Sequence, residues 1–374
     1  MKTRAAVLEQ SPAQRPYAES RPLKIMELDL APPGPDEVLV RVKAAGLCHS
    51  DLSVVNGDRP RPVPMALGHE AAGIVEALGP GVSDLAVGDH VVMVFMPSCG
   101  HCAPCAEGRP ALCEPGAVAN GVGTLLRGTR RLSRHGRAVH HHVGVSAFAD
   151  RAVVSRRSLV KVDPDLPFEH AALFGCAVLT GVGAVVNTAG VQAGQTVAVI
   201  GLGGVGLNAV LGAVAAGASE VIAVDPVAAK RELAERLGAS ASFNPGDEAA
   251  AARIRELTQG GVDVAVEMAG SVRALEFAYR ITRRGGATVT GGLANPAHLI
   301  GIQQVSLVGE ERTLKGSYMG SSIPSRDIPR YVALHRAGRL PIEKLLTSRG
   351  PLEEINEALD ALADGSAIRH IIDL

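Results

Sequence analysis

The chain has few aromatic side chains and almost no net charge. Its 374 residues include no tryptophan, 3% aromatic residues in all, and a formal net charge of -1. This composition lacks the stacking platforms that bind single-stranded nucleic acid, and it lacks the charge that attracts nucleic acid or an anionic membrane. With 47% apolar and 20% charged residues, it is typical of a globular protein with aliphatic cores and enough length for two domains.

Two further absences concern location. Residues 1–10 contain only a short apolar stretch, too brief for the core of a signal peptide, so we expect a cytoplasmic protein. Residues 171–219 contain no Asp, Glu, Lys or Arg, but glycines interrupt this segment and a strand and helix pattern continues beyond it, which argues against a membrane span. The chain has only six cysteines, and in a reducing compartment they indicate metal binding or catalysis before disulfides.

Residues 196–225 predict a dinucleotide site. A short β-branched strand at 197–200 leads into Gly201, Gly203, Gly204 and Gly206, a G-x-G-x-x-G motif that opens an apolar helix. The first glycine of such a motif permits a tight turn, the second lets the backbone approach a pyrophosphate, and the last lets the helix pack on the strand. The diphosphate would then lie on free N–H groups at the helix N-terminus.

Asp225 strengthens this prediction, because it ends the next apolar strand nineteen residues after Gly206. A carboxylate there can accept hydrogen bonds from the ribose hydroxyls and would repel a 2′-phosphate, so NAD is favoured over NADP. Lys230 could help to hold the same ribose. A glycine-rich turn without a ligand is the alternative, and the matching context makes it the weaker one.

The remaining pattern predicts two kinds of domain. Alternating apolar and polar residues at 3–9, 23–30, 37–45 and 87–93 predict strands of a barrel-like domain. Beyond Asp225, regular alternation of helices and strands predicts a doubly wound parallel sheet. The fold class is therefore α/β, with a barrel-like domain at 1–178, a nucleotide-binding Rossmann domain at 179–322, and a return of residues 323–374 to the first domain.

Four of the six cysteines lie close together. Cys99, Cys102, Cys105 and Cys113 form a C-x2-C-x2-C-x7-C loop, in which four thiolates can surround one Zn²⁺ and leave no open position. We interpret this loop as a structural zinc site. Two disulfides are the alternative, which a cytosolic chain disfavours.

The other two cysteines, Cys48 and Cys176, could form a second zinc site with His69. Two thiolates and one imidazole leave the fourth zinc position open for substrate, and such a zinc acts as a Lewis acid toward an alcohol. Spacing alone cannot join these residues, because each cysteine by itself is more often a buried small hydrophobe.

A resemblance joins them. The segments G-L-C-H-S-D, G-H-E, the four-cysteine loop, G-C-x3-T-G and G-L-G-G-V-G occur in one chain in the order found in zinc-dependent alcohol dehydrogenases of the medium-chain dehydrogenase family. The resemblance covers nearly the whole chain, and its long segment after the zinc loop is similar to the dimeric, liver-type branch. It implies a GroES-like catalytic domain, a Rossmann domain, one catalytic and one structural zinc, NAD, an alcohol or carbonyl substrate, and a homodimer.

The resemblance also assigns roles to single residues. It implies Cys48, His69 and Cys176 as catalytic zinc ligands, with Glu70 behind the metal as a transient ligand, and Ser50 as the hydroxyl that accepts the alcohol proton. The cofactor contacts that it implies are His49 and Arg369 at the diphosphate, Thr180 and Val205 behind the nicotinamide, and Asp225 and Lys230 at the adenosine ribose. The implied substrate channel comprises Arg59, Phe95, Val118, His142, Val143, Leu293 and Tyr318.

Two positions depart from the family pattern. The branch often has a histidine five residues after the first zinc cysteine, at the end of a proton relay, and this chain has Ser53, whose hydroxyl is no base at neutral pH. We expect the proton to leave through water. Arg59 and His142 occupy channel positions that are often apolar, which indicates either a polar substrate or, as the favoured interpretation, side chains turned to solvent.

Residues 127–142 contain five arginines and four histidines, and we interpret them as a solvated surface loop. Metal binding by the histidines at 140–142, or binding of an anionic substrate tail by the arginines, are the alternatives.

Two other functions remain open. A thiol-dependent formaldehyde dehydrogenase would oxidise an S-hydroxymethyl adduct on the same scaffold. The other alternative is a non-catalytic protein that binds zinc and NAD. The open zinc ligand set and the Ser50 hydroxyl argue against it.

Overall fold

The computed structural model describes all 374 residues. Eighteen strands occur in the order β1 (Lys2–Leu8), β2 (Leu23–Leu30), β3 (Glu37–Leu47), β4 (Met65–Ala66), β5 (Glu70–Leu78), β6 (His90–Met93), β7 (Leu132–Arg134), β8 (Arg137–His141), β9 (Arg151–Ser155), β10 (Leu159–Val162), β11 (Thr196–Ile200), β12 (Glu220–Val224), β13 (Ala241–Phe243), β14 (Val262–Glu267), β15 (Thr282–Thr290), β16 (Thr313–Gly316), β17 (Ser348–Pro351) and β18 (His370–Asp373).

The chain also contains thirteen α-helices. They are α1 (Tyr17–Ser20), α2 (His49–Val55), α3 (Ala103–Ala106), α4 (Glu114–Val122), α5 (Phe168–Leu173), α6 (Leu179–Gly183), α7 (Gly204–Ala215), α8 (Ala228–Arg236), α9 (Ala250–Leu257), α10 (Val272–Ile281), α11 (Gln304–Gly309), α12 (Pro324–Arg336) and α13 (Ile355–Ala363). π-helical stretches follow α5 and α6 at Phe174–Val178 and Ala184–Ala189.

The first compact unit contains residues 1–176, 323–330 and 342–374. Strands β1, β2, β7, β8 and β4 form a closed barrel, and a second sheet has the order β10-β6-β5-β3-β18-β17, with β9 paired to β3. Its core is aliphatic, as the composition predicts, with Phe148 and Tyr17 among the few large aromatic side chains in it. Strand β18 pairs antiparallel with β3, so that His370 lies opposite Leu47. This pairing brings the C-terminal strand beside the start of α2.

The second compact unit contains residues 177–322 and 331–341. Its six parallel strands have the order β13-β12-β11-β14-β15-β16. The strand order reverses between β11 and β14, and at such a switch point the carboxyl ends of parallel strands form a ligand crevice. The predicted α/β class, with a barrel-like domain and a doubly wound parallel sheet, is confirmed.

One local prediction was wrong. Residues 127–142 do not form a solvated loop: β7 and β8 form a hairpin in the barrel, with Val139 and His141 buried. Arg131 in this hairpin donates to the Glu37 carboxylate at 2.6 Å, which shows that tertiary partners neutralise charges that have none nearby in sequence.

One helical segment is apolar enough to cross a membrane by length and composition. Phe168–Ala189 has a mean hydropathy of 1.7 over its most apolar window, and 83% of that window is buried inside the protein. This burial is typical of a core helix, in agreement with the sequence argument against a membrane span.

Candidate metal centres and nucleotide site

The first unit gathers Cys48, His69, Glu70 and Cys176 in one buried cluster. Their ligand atoms all lie within 4.8 Å of one another. Three segments carry them: Cys48 follows β3, His69 directly precedes β5 and Glu70 begins it, and Cys176 lies in the π-helical stretch after α5. The structure therefore brings together the three residues that spacing alone could not join.

Two glycines let these segments approach. A Cβ on Gly175 would lie 2.1 Å from the Met93 carbonyl oxygen, so only glycine lets the stretch that carries Cys176 pack against β6. Gly68 precedes His69 with φ +94, and a Cβ there would lie 2.4 Å from the Phe148 nitrogen. Any larger residue at either position would move a ligand of the cluster.

Asp51 orients His69. Its Oδ1 lies 3.0 Å from His69 Nδ1, while its Oδ2 accepts the Cys48 N–H at 3.1 Å. Burial alone would lower the pKa of His69, but the Asp51 carboxylate outweighs burial and raises it. A carboxylate on one ring nitrogen fixes the tautomer and leaves the other nitrogen free for a metal. Sequence reasoning missed this role, although Asp51 stands in the quoted G-L-C-H-S-D segment.

The residues of this cluster fit a zinc ion. His69 Nε2 is buried and has no hydrogen-bond partner, which is costly unless a metal or proton occupies it. A hydrogen bond from Cys176 lowers the pKa of the Cys48 thiol well below its usual value. Two sulfurs and one oriented imidazole are the donors that zinc prefers in an open, catalytic site.

Behind the ligands, Glu70 and Arg369 form a fully buried ion pair. Arg369 Nη1 donates to Glu70 Oε2 at 3.2 Å and contacts the Leu47 carbonyl oxygen at 3.4 Å. Burial raises the pKa of Glu70 to about 7. The guanidinium that the resemblance assigns to the cofactor diphosphate is thus held by the carboxylate that it assigns to the metal.

The four remaining cysteines form a second cluster. The sulfurs of Cys99, Cys102, Cys105 and Cys113 also lie within 4.8 Å of one another, and only Cys113 is buried. Cys113 Sγ accepts N–H bonds from Cys99 and Gly116, at 3.1 and 3.4 Å. Backbone N–H groups of His101 and Cys102 outweigh burial and lower the pKa of Cys99 to about 6. Such N–H donors stabilise thiolates, so this closed set also fits zinc.

The three glycines of the motif in the second unit have the geometry that the sequence predicts for each of them. Gly201 has φ +89, a Cβ on Gly203 would meet nothing within 4 Å, and a Cβ on Gly206 would lie 1.8 Å from the Gly201 carbonyl oxygen. The turn, the open approach and the close helix contact are therefore all present. Asp225 is buried at the end of β12, where its Oδ2 accepts the Leu202 N–H at 2.8 Å. Its carboxylate thus reaches the glycine turn itself.

Similarity to known proteins agrees with these sites. Residues 34–164 match the alcohol dehydrogenase GroES-like domain family, and residues 204–336 match the zinc-binding dehydrogenase family. The chain is 43% identical to the NDMA-dependent alcohol dehydrogenase of Amycolatopsis methanolica, over 100% of this chain and 99% of the relative.

The chain belongs to the zinc-dependent alcohol dehydrogenases. It is also 38% identical to the S-(hydroxymethyl)glutathione dehydrogenase of Synechocystis, over the full length of both chains. The structure of benzyl alcohol dehydrogenase from Acinetobacter calcoaceticus superposes with a TM-score of 0.93 at 34% identity, over 100% of this chain and 99% of that one. The predicted recognition, the oxidoreductase activity and the presence of zinc-compatible Cys/His clusters are confirmed.

In this alcohol dehydrogenase, the predicted channel residues differ in exposure. In the first unit, Val143 is buried and Arg59 and Phe95 are half-buried, whereas Val118 on α4 is 67% exposed. In the second unit, Leu293 is 53% exposed and Tyr318 is half-buried. Their role as a channel stays a prediction.

The expectation that His142 faces solvent was wrong. It is 2% exposed, its Nδ1 lies 3.3 Å from Asp51 Oδ1, and its ring meets His69 edge-on at a centroid distance of 5.5 Å. Burial lowers its pKa. An acidic partner for the histidines at 140–142 therefore exists, but it comes from α2, far away in sequence.

The other predicted cofactor and catalytic residues differ in exposure, and their roles stay predictions. Ser50 is half-buried and His49 is exposed in the first turn of α2, directly after Cys48. Thr180 is buried in α6, and a Cβ on its neighbour Gly181 would lie 2.2 Å from the Val205 carbonyl oxygen. Lys230 is half-buried on α8, the helix after Asp225.

Proposed function

We propose that the protein oxidises primary or secondary alcohols to aldehydes or ketones with NAD, and catalyses the reverse reduction. The observation that carries this proposal is the buried Cys48, His69 and Cys176 set with an unpartnered His69 Nε2. When bound, zinc supplies a Lewis acid that lowers the pKa of the alcohol, and NAD accepts the hydride from its carbon.

The residues of the chain have distinct parts in this reaction. Cys48, His69 and Cys176 would hold the metal, and Asp51 keeps His69 in the tautomer that presents Nε2. Ser50 accepts the alcohol proton and passes it to water. Each turnover thus converts alcohol and NAD⁺ to carbonyl compound, NADH and one proton. Glu70 and Arg369 fill the space behind the metal ligands with a neutral pair.

The cofactor residues divide between phosphate, nicotinamide and ribose. In the second unit, the N-terminus of α7 at Gly203 and Gly204 would hold the diphosphate, and His49 and Arg369 are the first-unit residues proposed to bind the same group. Thr180 and Val205 would lie behind the nicotinamide. Asp225 and Lys230 would hold the adenosine ribose, and the buried Asp225 carboxylate supports NAD over NADP because it would repel a 2′-phosphate.

The test is NADH formation by zinc-loaded protein over a panel of aliphatic and aromatic alcohols. One further sample contains formaldehyde with glutathione, and another contains an alcohol with NDMA, on which one relative depends by name. NADH formation or NDMA-dependent turnover with alcohols alone supports the proposal. Turnover only in the thiol sample would replace it by the second candidate. No turnover in any sample would favour a non-catalytic protein that binds zinc and NAD.

The second candidate is oxidation of an S-hydroxymethyl thiol adduct. The full-length relative named S-(hydroxymethyl)glutathione dehydrogenase favours it. Two arginines of the basic stretch at 127–142 do not strengthen it, since Arg127 and Arg131 are paired with Asp36 and Glu37.

We also propose a homodimer through the free edge of the parallel sheet. Strand β16 is the outermost strand, with Thr313 and Lys315 exposed. Before it, Leu299, Val305 and Val308 are exposed by 87%, 74% and 73%. An uncovered edge next to apolar side chains is a pairing surface. Light scattering should give twice the chain mass, and Val308→Glu should give the single-chain mass.

A cytoplasmic location is proposed on cysteine chemistry. All six cysteines are free, and both clusters need reduced thiols to bind zinc, which a reducing compartment provides. Fractionation of cells that produce the protein tests this.

A further inference from the structure

Glu267 is a buried carboxylate in the second unit that neither the motifs nor the proposed mechanism uses. It ends β14, the strand next to β11 at the switch point, and it is 1% exposed. Its donors are neutral groups: the Gly270 N–H donates to Oε1 at 2.6 Å, and the Thr290 hydroxyl donates to Oε2 at 2.7 Å. Burying a carboxylate this deeply costs free energy, which its hydrogen bonds must offset.

The carboxylate and its backbone bind two loops together. Oε1 holds the loop after β14 through Gly270, and Oε2 holds the end of β15 through Thr290. The carbonyl oxygen of Glu267 accepts the N–H groups of Gly291 and Gly292, at 2.9 and 3.2 Å. One residue thus fixes the course of the chain at the carboxyl ends of two adjacent strands.

These loops are packed against the glycine turn. A Cβ on Gly201 would lie 2.6 Å from the Ala269 nitrogen, and a Cβ on Gly292 would lie 2.2 Å from the Gly270 nitrogen. The loops after β11, β14 and β15 therefore touch with no space between their backbones. A displacement of the Glu267 loop would be transmitted to both of its neighbours.

The topology indicates which part of the cofactor these loops serve. A doubly wound sheet consists of two mononucleotide-binding halves that meet at the switch point. Strands β11 to β13, with Asp225 after β12, form the half that holds adenosine. Strands β14 to β16 form the other half, so the loops held by Glu267 belong to the nicotinamide mononucleotide side.

We propose that Glu267 is a positioning residue for the nicotinamide half of the cofactor site, acting through the loops after β14 and β15. This inference rests on the proposed use of NAD. Glu267 does not contact the reacting atoms. It holds the backbone against which the nicotinamide ribose and ring bind.

The experiment measures NADH and AMP binding by calorimetry on the zinc-loaded wild type, Glu267→Gln and Thr290→Val. Glutamine keeps the size of the side chain but turns one acceptor into an NH₂ donor, which faces either the Gly270 N–H or the Thr290 hydroxyl. The Kd of NADH should rise about tenfold in Glu267→Gln and about threefold in Thr290→Val, while the Kd of AMP stays within about twofold.

Asp263 provides a matched control on the same strand. It lies at the opposite end of β14, where Oδ2 accepts the Thr196 N–H at 2.8 Å and Oδ1 binds Arg283. Asp263→Asn should lower the melting temperature without changing the ratio of the two Kd values. A general packing defect would change both ligands alike, so the ratio separates positioning from stability.

The outcomes are distinct. Unchanged NADH binding in Glu267→Gln, or an equal loss of NADH and AMP binding, would overturn this inference and leave the proposed function standing. A wild type that binds AMP but no NADH would overturn both. A rise in the NADH Kd alone in both Glu267→Gln and Thr290→Val supports the inference, because the two changes share only this contact.

Discussion

The two cysteine clusters of the first unit contain similar donors in opposite settings. The four-cysteine cluster lies within residues 99–113, mostly half-exposed, on turns and the short helix α3. The other cluster draws on β3, β5 and the stretch after α5, and every member is buried. The first is closed by its own four sulfurs, whereas the second has three ligands and a buried acid behind them.

This difference indicates that the closed cluster contributes to stability and the open cluster to catalysis. Backbone N–H groups of its own loop stabilise the thiolates of the closed cluster, so a metal there cross-links one short segment. The open cluster is oriented by Asp51, which binds the Cys48 N–H and His69 Nδ1 together. A zinc ion held by these three ligands would keep its fourth position open for substrate, as catalytic zinc requires. Loss of each metal should therefore have different consequences.

The largest expected effect comes from Cys48→Ser. Cys48 is the N-cap of α2, and its side chain accepts the Asp51 N–H. Serine is a preferred N-cap, so the helix is retained while the thiolate is lost. We expect zinc content to fall from two ions per chain to one, and kcat/KM to fall about 10³-fold, the size of a lost Lewis-acid contribution. Metal analysis and initial rates measure both. Full activity with one zinc would contradict the assignment of the open site.

A smaller loss should follow from Asp51→Asn. Asparagine keeps the shape but removes the charge that holds His69 Nδ1, and such partners are worth about 10–100-fold in metal affinity or activity. Zinc release to a chelator and kcat are the measurements. His142→Phe is the matched control, because it removes the other imidazole beside Asp51 and leaves the bond to His69. Equal zinc release by both variants would show that Asp51 does not act through His69.

Cys105→Ser, at the closed cluster, should reduce stability and leave activity almost unchanged. The expected cost is about 2–3 kcal/mol of unfolding free energy, the size of a cross-link that closes a loop of this length. The kcat of the folded enzyme should stay near the wild-type value, because no ligand of the open site moves. Thermal unfolding and zinc-normalised rates test this. A collapse of kcat without loss of stability would mean that the two clusters are not independent.

The predictable parts of the molecule are those that short segments encode. The four-cysteine loop and the glycine turn are contiguous, so their roles follow from residue spacing and from φ values that only glycine adopts easily. The role of Asp225 could be predicted because it directly follows the apolar strand after the glycine motif. The open cluster needed a resemblance, because Cys48 and Cys176 are brought together only by packing of α5 on β3 and β5.

The failures share one physical cause. Residues 127–142 were predicted as a solvated loop because they are rich in arginine and histidine and have little hydrophobic periodicity. Their partners, Glu37 for Arg131 and Asp51 for His142, come from elements folded against the hairpin. Glu267 escaped notice for the same reason, since an acidic residue at a strand end gives no sign that three loops meet there.

The smallest expected effect concerns the proton that leaves the open site. Ser53 is half-buried on α2, and its hydroxyl donates to the His49 carbonyl oxygen at 2.8 Å, so it offers no base. Ser53→His adds an imidazole with an ordinary pKa of about 6.5, which accepts protons where water is a poor acceptor. Alcohol oxidation should rise about two- to fivefold between about pH 6 and 7 and converge with the wild type at higher pH. Ser53→Gln, which cannot titrate, should show no such rise. If the pH–rate profile of Ser53→His matches the wild type, proton release does not limit the open site, and its chemistry is governed by the metal ligands and Asp51 alone.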